Sequence, residues 1–250
     1  MKNRLPPHPW LPEYYQGKDQ RQGIINSLFD RIAPDYDWIS QFLSFGSGKW
    51  HRQSTLRRLG LSQGMKVLDV ACGPGTVGRC AKNLVGSSGF VVSLDPSLGM
   101  LQEAKKNSLP YLTQGLADHL PFHESTFDFV TMGYALRHVS DLPHTFKEYF
   151  RVLKPGGTVL ILEISRPHST IHFQFTKFFL KTVVPRMAQL RTRNHQALTL
   201  MRYFWDTIEN CVSPHQILSA MEETGFVRSN VSEMAGGLIR DYIAWKPRSH

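Results

Sequence analysis

Residues Val67-Leu68-Asp69-Val70-Ala71-Cys72-Gly73-Pro74-Gly75-Thr76-Val77-Gly78 decide the fold. A short apolar run ends in an acid, Asp69. A turn carrying Gly73 and Gly75 follows, and the next residues suit a helix. That order predicts a strand, a tight turn and a helix start. Glycine admits backbone N–H groups to distances that a Cβ forbids, and the first turn of a helix adds partial positive charge. A second apolar run, Phe90 to Leu94, also ends in an acid, Asp95. It lies about 20 residues past the turn, where nucleotide-binding α/β folds place the ligand of a ribose.

Working outward, Met65 to Val70, Phe90 to Leu94, Tyr111 to Thr113, Phe127 to Met132 and Thr158 to Glu163 read as strands. Helical stretches such as Leu98 to Asn107 and Leu142 to Leu153 lie between them, and Lys154-Pro155-Gly156-Gly157 turns the chain into the fifth strand. The alternation predicts an α/β, Rossmann-like, doubly wound and mostly parallel sheet. Phe226 to Val231 and Ile239 to Lys246 should pair at its end and bring it to seven strands. Residues 22 to 60 read as helical pieces broken at Pro34 and at Gly46 to Gly48, and Arg166 to Val212 reads as a helical insertion rich in phenylalanine. The expected division is an N-terminal arm and helical lid over 1–60, a ligand-binding core over 61–165, a helical cap over 166–212 and a C-terminal part of the core over 213–250.

The chain has 250 residues, enough for one such domain with an insertion. Its three cysteines, Cys72, Cys80 and Cys211, make no metal or disulfide spacing and read as free thiols of a reducing cytosol. No metal is expected. The proline-rich first residues predict no secretory leader, and no apolar run reaches the roughly 18 residues of a membrane span. The expected location is cytoplasmic. A formal net charge of +9 suits either a basic enzyme or one drawn to anionic lipid surfaces or substrates. Nucleic acid is not expected as a partner, because no basic stripe interleaves with aromatics.

The glycine turn alone fits two ligands. A dinucleotide places a pyrophosphate there and disfavours an adjacent acid, whereas Asp69 suits an ammonium group. S-adenosylmethionine (SAM) needs a partner for its amino group, a turn for its carboxylate and an acid for its ribose, and the later motifs favour it.

Those later motifs resemble a family. Tyr36-Asp37-Trp38-Ile39-Ser40-Gln41-Phe42-Leu43-Ser44-Phe45-Gly46 with Lys49 and Arg52, and Arg151 to Gly157 running on to Leu162-Glu163-Ile164-Ser165-Arg166-Pro167, are similar to two signatures of the C-methyltransferases of ubiquinone and menaquinone biosynthesis, which are class I SAM-dependent methyltransferases. Leu120-Pro121-Phe122, Phe127-Asp128 and Leu136-Arg137 match as well. Gly48, Ser40, Leu116, Pro74 and His138 stand where the family carries histidine, asparagine, a polar residue, threonine and asparagine. A paralogue with another acceptor stays open.

The resemblance implies SAM as cofactor and a lipophilic aromatic acceptor, most simply a quinol. Asp95 would take the ribose hydroxyls, Met100 pack on adenine, and Ala117 and Asp118 hold the adenine edge; a plain core role for Met100 is the alternative. Asp69 would orient the turn and face the ammonium end through water or backbone, Gly73 and Gly75 leave room for the methionine moiety, and Gly133 lie near the transferred methyl. Tyr36 would close over the donor or pack in the core. Arg137 would stabilise a phenolate or polarise a water, or else pair with Asp141 one helical turn on. His138 would be the base, or a satisfied polar residue. The cap would rest near a membrane through Phe175, Phe178, Phe179 and Val183 at helical spacing, beside Lys177, Lys181, Arg186, Arg191 and Arg193, or pack that face on the core. A second copy of the chain is a further candidate partner. An O- or N-methyltransferase of a natural-product pathway and a non-catalytic scaffold are the competing functions.

Overall fold

The computed structural model describes residues 4–15, 17–43, 47–192 and 195–248. In chain order the elements are α1 (Lys18–Leu43), α2 (Gly48–Arg58), β1 (Lys66–Val70), α3 (Thr76–Val85), β2 (Phe90–Asp95), α4 (Leu98–Lys106), β3 (Tyr111–Gln114), β4 (Phe127–Gly133), α5 (Leu142–Val152), β5 (Leu153–Ile164), α6 (Thr170–Phe178), α7 (Val184–Thr192), α8 (His195–Glu209), α9 (Pro214–Glu223), β6 (Val227–Met234) and β7 (Ile239–Trp245). A 3-10 turn spans Leu136–His138, and a π-helical turn, Phe179–Val183, joins α6 to α7.

The seven strands lie in the order β3-β2-β1-β4-β5-β7-β6. β1 to β5 run parallel; β7 enters antiparallel between β5 and β6. Side chains alternate across the pleat, and the two faces feed separate cores. Leu68, Val70, Val130, Met132, Val159 and Ile161 meet α5 and α9 on one side. Val67, Phe129, Leu160 and Leu162 meet α2 and α3 on the other. The chain order reverses beside β1, which pairs with both β2 and β4. Ligands of open α/β sheets bind at the carboxyl ends of the strands at such a reversal.

The N-terminal helix and the insertion share a third core. Ile25, Ile32 and Ile39 of α1 pack with Phe173, Leu180, Val184 and Trp205, all buried. Two expectations change here. The expected break at Pro34 does not occur, because α1 runs through it. Proline has no N–H to give the carbonyl four residues back, and a neighbour comes up to that carbonyl instead: a Cβ on Gly99 would lie 2.8 Å from the Asp30 oxygen. The expected apolar face of Phe175, Phe178, Phe179 and Val183 does not form as one stripe. The π turn adds a residue to the repeat and shifts the phase after Phe178. Phe173 and Leu180 are buried instead, while Ile171, Phe175 and Phe178 are 80%, 68% and 60% exposed. Ser44, Phe45, Gly46 and Arg193, singled out in the sequence, lie outside the described residues, as does the side chain of Arg191.

Candidate active site

The glycine turn leaves β1 through three residues of left-handed backbone: Ala71 (φ 51°), Gly73 (φ 55°) and Gly75 (φ 85°). The Cys72 N–H donates to the Leu94 carbonyl at 3.0 Å, and the Gly75 N–H donates to the Cys72 carbonyl at 2.9 Å. A Cβ on Gly75 would stand 2.2 Å from Leu109 Cδ1, so this glycine exists for close packing of α3 against the next unit. Gly73 is different. Only the Met100 sulfur lies near its imaginary Cβ, at 4.0 Å, and its N–H donates to Asp95 Oδ2 at 2.8 Å. Asp95 Oδ1 accepts from the Ser97 N–H at 2.8 Å. Burial raises the Asp95 carboxyl to about 6 even though these two N–H groups pull it down.

Asp95, Gly73, Met100, Ala117, Asp118, Gly133, Tyr36 and His138 all line one cleft of about 930 Å³ along the carboxyl ends of β1, β2 and β4. Asp118 accepts from Ser140 Oγ and from His119 Nδ1, the latter at 3.1 Å. Gly133 is needed because a Cβ there would meet Val77 Cγ2 at 2.7 Å, and Tyr134 follows it with φ 61°, its N–H donating to the Leu162 carbonyl.

Two predicted residues besides Gly75 lie off the cleft. Asp69 is wholly buried beneath the turn, where its carboxylate accepts from Thr131 Oγ1 at 2.8 Å; burial pushes it up to about 7. It braces the turn from below and does not reach the cavity. Arg137 is wholly buried too, and its partner is Glu163 at the end of β5, with Nε donating to Thr207 Oγ1 at 3.3 Å. The expected pair with Asp141 is not made. Asp141 caps α5 through the His144 N–H and accepts the Leu5 N–H. With both groups wholly buried, turning the guanidinium out to the cleft would leave the Glu163 charge uncompensated, which is what holds Arg137 in place.

His138 keeps its place on the cleft. Its Nδ1 lies 3.2 Å from the Tyr203 hydroxyl, while Nε2 is buried with no hydrogen-bond partner. Burial, reinforced by the positive charge of Arg137, holds its pKa well below the usual imidazole value, so the ring is neutral at pH 7. Tyr36 is pushed up to about 12 by burial and stays protonated.

A second cleft of about 1010 Å³ shares Tyr36, Ser40 and Tyr134 with the first. The rest of its wall is mainly apolar, with Phe175, Phe179, Leu180, Met201, Phe204 and Ile239 contributed by α6, the π turn, α8 and β7; Arg52 of α2 and Thr176 are its polar exceptions. A cap over an acceptor pocket was expected of the insertion, but not the shares of α1, α2, β5 and β7 in the wall, which lie far apart in the chain. Also unforeseen were Gln22, Asn26 and Phe29, which with Tyr36 form one stripe of α1 over the first cleft. Their i, i+4, i+7 spacing was a usable signal.

The pattern of the ubiE/COQ5 methyltransferase family matches residues 15–246. The chain belongs to that family. It is a SAM-dependent methyltransferase. It is 36% identical over 228 residues to the 2-phytyl-1,4-naphthoquinone methyltransferase of Thermosynechococcus vestitus, covering 89% of this chain and 99% of the relative. It is 33% identical over 241 residues to the demethylmenaquinone methyltransferase of Symbiobacterium thermophilum, covering 92% and 95%. In fold it is similar to a SAM-dependent methyltransferase of Thermotoga maritima, with TM-score 0.64 and 18% identity over 88% of this chain and 99% of the other. The phosphoethanolamine N-methyltransferase 2 of Haemonchus contortus, solved with SAM, is also similar: TM-score 0.62, 20% identity, 88% and 57% coverage. The donor set of the first cleft fits the cofactor. Asp95 has lone pairs left over for a diol, and Gly73 leaves open space beside it.

Proposed function

We propose that this methyltransferase transfers a methyl group to a ring carbon of a lipophilic quinol. The observation that carries this reading is the pair of adjoining clefts, one with an acid and an open glycine turn, the other apolar, which meet at Tyr36, Ser40 and Tyr134. Asp95 would hold the ribose, Met100 the adenine face, Ala117 and Asp118 the adenine edge, and Gly73 the methionine end. SAM, when bound, supplies an electrophilic methyl on a sulfonium. The protein's part is to hold the acceptor carbon in line with it at the shared wall and to keep water out.

A ring carbon becomes nucleophilic when a neighbouring phenol loses its proton. His138 suits the removal of a proton from the acceptor, since it is neutral and its Nε2 is uncommitted. Arg137 has no such part, since Glu163 holds it away from both clefts. The apolar second cleft suits a naphthalene ring and the start of an isoprenoid tail. The rest of the tail would leave past Phe175, where the exposed face of α6 would meet the bilayer.

The test is turnover of SAM with a demethylated naphthoquinol bearing a short isoprenoid tail, with the product followed by mass spectrometry. A mass gain of one methyl on a ring carbon is expected. Methylation at oxygen alone, or none while other phenols are methylated, would move the reading to a natural-product acceptor.

A further inference from the structure

α2 buries a polar stripe. Gly48, His51, Arg52, Thr55 and Leu56 form its inner face. His51 Nε2 and Thr55 Oγ1 reach one carboxylate, Asp241 on β7, at 3.0 and 3.2 Å, and Arg58 lies 3.7 Å from it. Arg52 has no such partner. It is 7% exposed, its Nε makes no hydrogen bond, and among the described residues no carboxylate lies within ion-pair distance of it. A buried cation left unpaired by its own protein is costly unless something else neutralises it.

The position of this cation is specific. Arg52 is the single charged side chain among the described residues lining the second cleft. Its guanidinium lies against the Tyr134 hydroxyl and the Cys80 thiol, drawing both pKa values down against the upward push of burial. Tyr36 and Asp69 feel the same positive charge from further off. Behind Arg52 lies a polar cavity that it also borders, lined by Lys49, Arg79 and one carboxylate, Asp37, whose Oδ2 already accepts from Arg79 at 3.4 Å and Asn107 at 3.1 Å. On its other side Arg52 faces a largely apolar chamber of low dielectric, where a charge acts strongly.

We infer that Arg52 binds an oxyanion of the acceptor: the ring oxygen beside the methylated carbon, held as a phenolate. The inference rests on the acceptor reading above and deepens it. The balance is an acid–base one. The phenol O–H bond breaks, its proton passes by way of His138, the base proposed above, to bulk water, and the electron pair stays on the oxygen, delocalised to the neighbouring ring carbon. Arg52 lowers the energy of that anion relative to the neutral phenol.

The test uses the full chain and 1-naphthol, whose ultraviolet band shifts on ionisation. With the wild-type protein the ionisation midpoint of bound naphthol should fall by about one unit or more. Arg52→Gln should abolish that shift, and Arg52→Lys should keep part of it. The rising limb of kcat/KM against pH for a demethylated naphthoquinol should move upward by the same interval in Arg52→Gln, with a loss of about 10- to 100-fold near pH 7. SAM affinity, measured by calorimetry, should stay within about twofold. If Arg52→Gln does not hold SAM, Arg52→Met, which fills similar volume without charge, replaces it. An unchanged naphthol midpoint in the charge-free variant overturns the inference while leaving the acceptor reading intact. Failure of wild type to bind naphthol or to methylate the naphthoquinol overturns both.

Discussion

Asp95 carries a pH signature. Its carboxyl stands at about 6, above the ordinary value, because burial penalises its charge. The ionised form is the better acceptor for two hydroxyls. SAM affinity should therefore rise as pH climbs through about 6 and level off above it, and Asp95→Asn should flatten the curve. Calorimetry from about pH 5 to about pH 8 would show it. Asp95→Ala should cost about 10- to 100-fold at neutral pH. The same raised value has the opposite sign for folding. The unfolded chain ionises this acid first, so its contribution to stability falls between the ordinary carboxylate value and about pH 6 and stays low above that. Arg137 and His138, adjacent in sequence, should separate in experiment. Arg137→Ala leaves Glu163 as an uncompensated buried charge and should lose about 3–5 kcal/mol of stability in denaturant melts. His138→Ala should keep fold and SAM affinity yet lose about 10²–10⁴ in turnover. Near-normal turnover in His138→Ala would end its role as base. At this scale the sequence located Asp95 and Gly73 because strand ends and turns are local. It did not show that Asp69 and Gly75 lie off the cleft or which carboxylate holds Arg137, because the direction in which a side chain points off a strand end is set by neighbours such as Thr131, Leu109 and Glu163, which lie 62, 34 and 26 positions away in the chain.

At the scale of an element, α6 makes the sharpest prediction. Its outer face presents Ile171, Phe175 and Phe178 at i, i+4 and i+7, and Phe175 also borders the second cleft. Burying a phenylalanine side chain is worth about 1.5–3 kcal/mol. The double change Phe175→Ser and Phe178→Ser should weaken binding to phospholipid vesicles by about 100-fold or more, with circular dichroism and SAM affinity unchanged. Equal partitioning of both proteins in a vesicle flotation assay would detach this face from the bilayer. Lengthening the acceptor tail by one isoprene unit should raise kcat/KM through a gain of up to about 3–4 kcal/mol before ordering costs. A flat response would show that the tail finds no apolar wall. The helical character of this insertion was legible from composition, but its phase was not, because a π turn leaves no mark in a 3.6-residue pattern. α1 misled in the other direction. Proline removes one bond and normally ends a helix. Here the Asp30 side chain accepts from Ser97 Oγ at 2.6 Å and from the Gly99 N–H at 2.9 Å, so a tertiary clamp carries the helix across.

Over the whole molecule, the seven-strand order follows from rules that act at any sequence identity: parallel crossovers, buried strands and a reversal beside β1. The arrangement of α1 and of the insertion from α6 to α8 depends on nothing so general; it is seen only in the core they share and the cleft they both line. The sheet has one further property. β7 is the last strand in the chain, yet it lies inside the sheet, between β5 and β6. Its Asp241 is also the carboxylate that gathers the polar face of α2, across 190 residues of sequence to His51. Residues 239–245 therefore do two jobs at once: they complete the sheet beside β5, and they supply the anion to which His51 and Thr55 anchor the helix that carries Arg52. Asp241→Ala should loosen α2 first in amide hydrogen exchange and leave β1 to β5 in place, so the wall of the second cleft and this end of the sheet share one fastening.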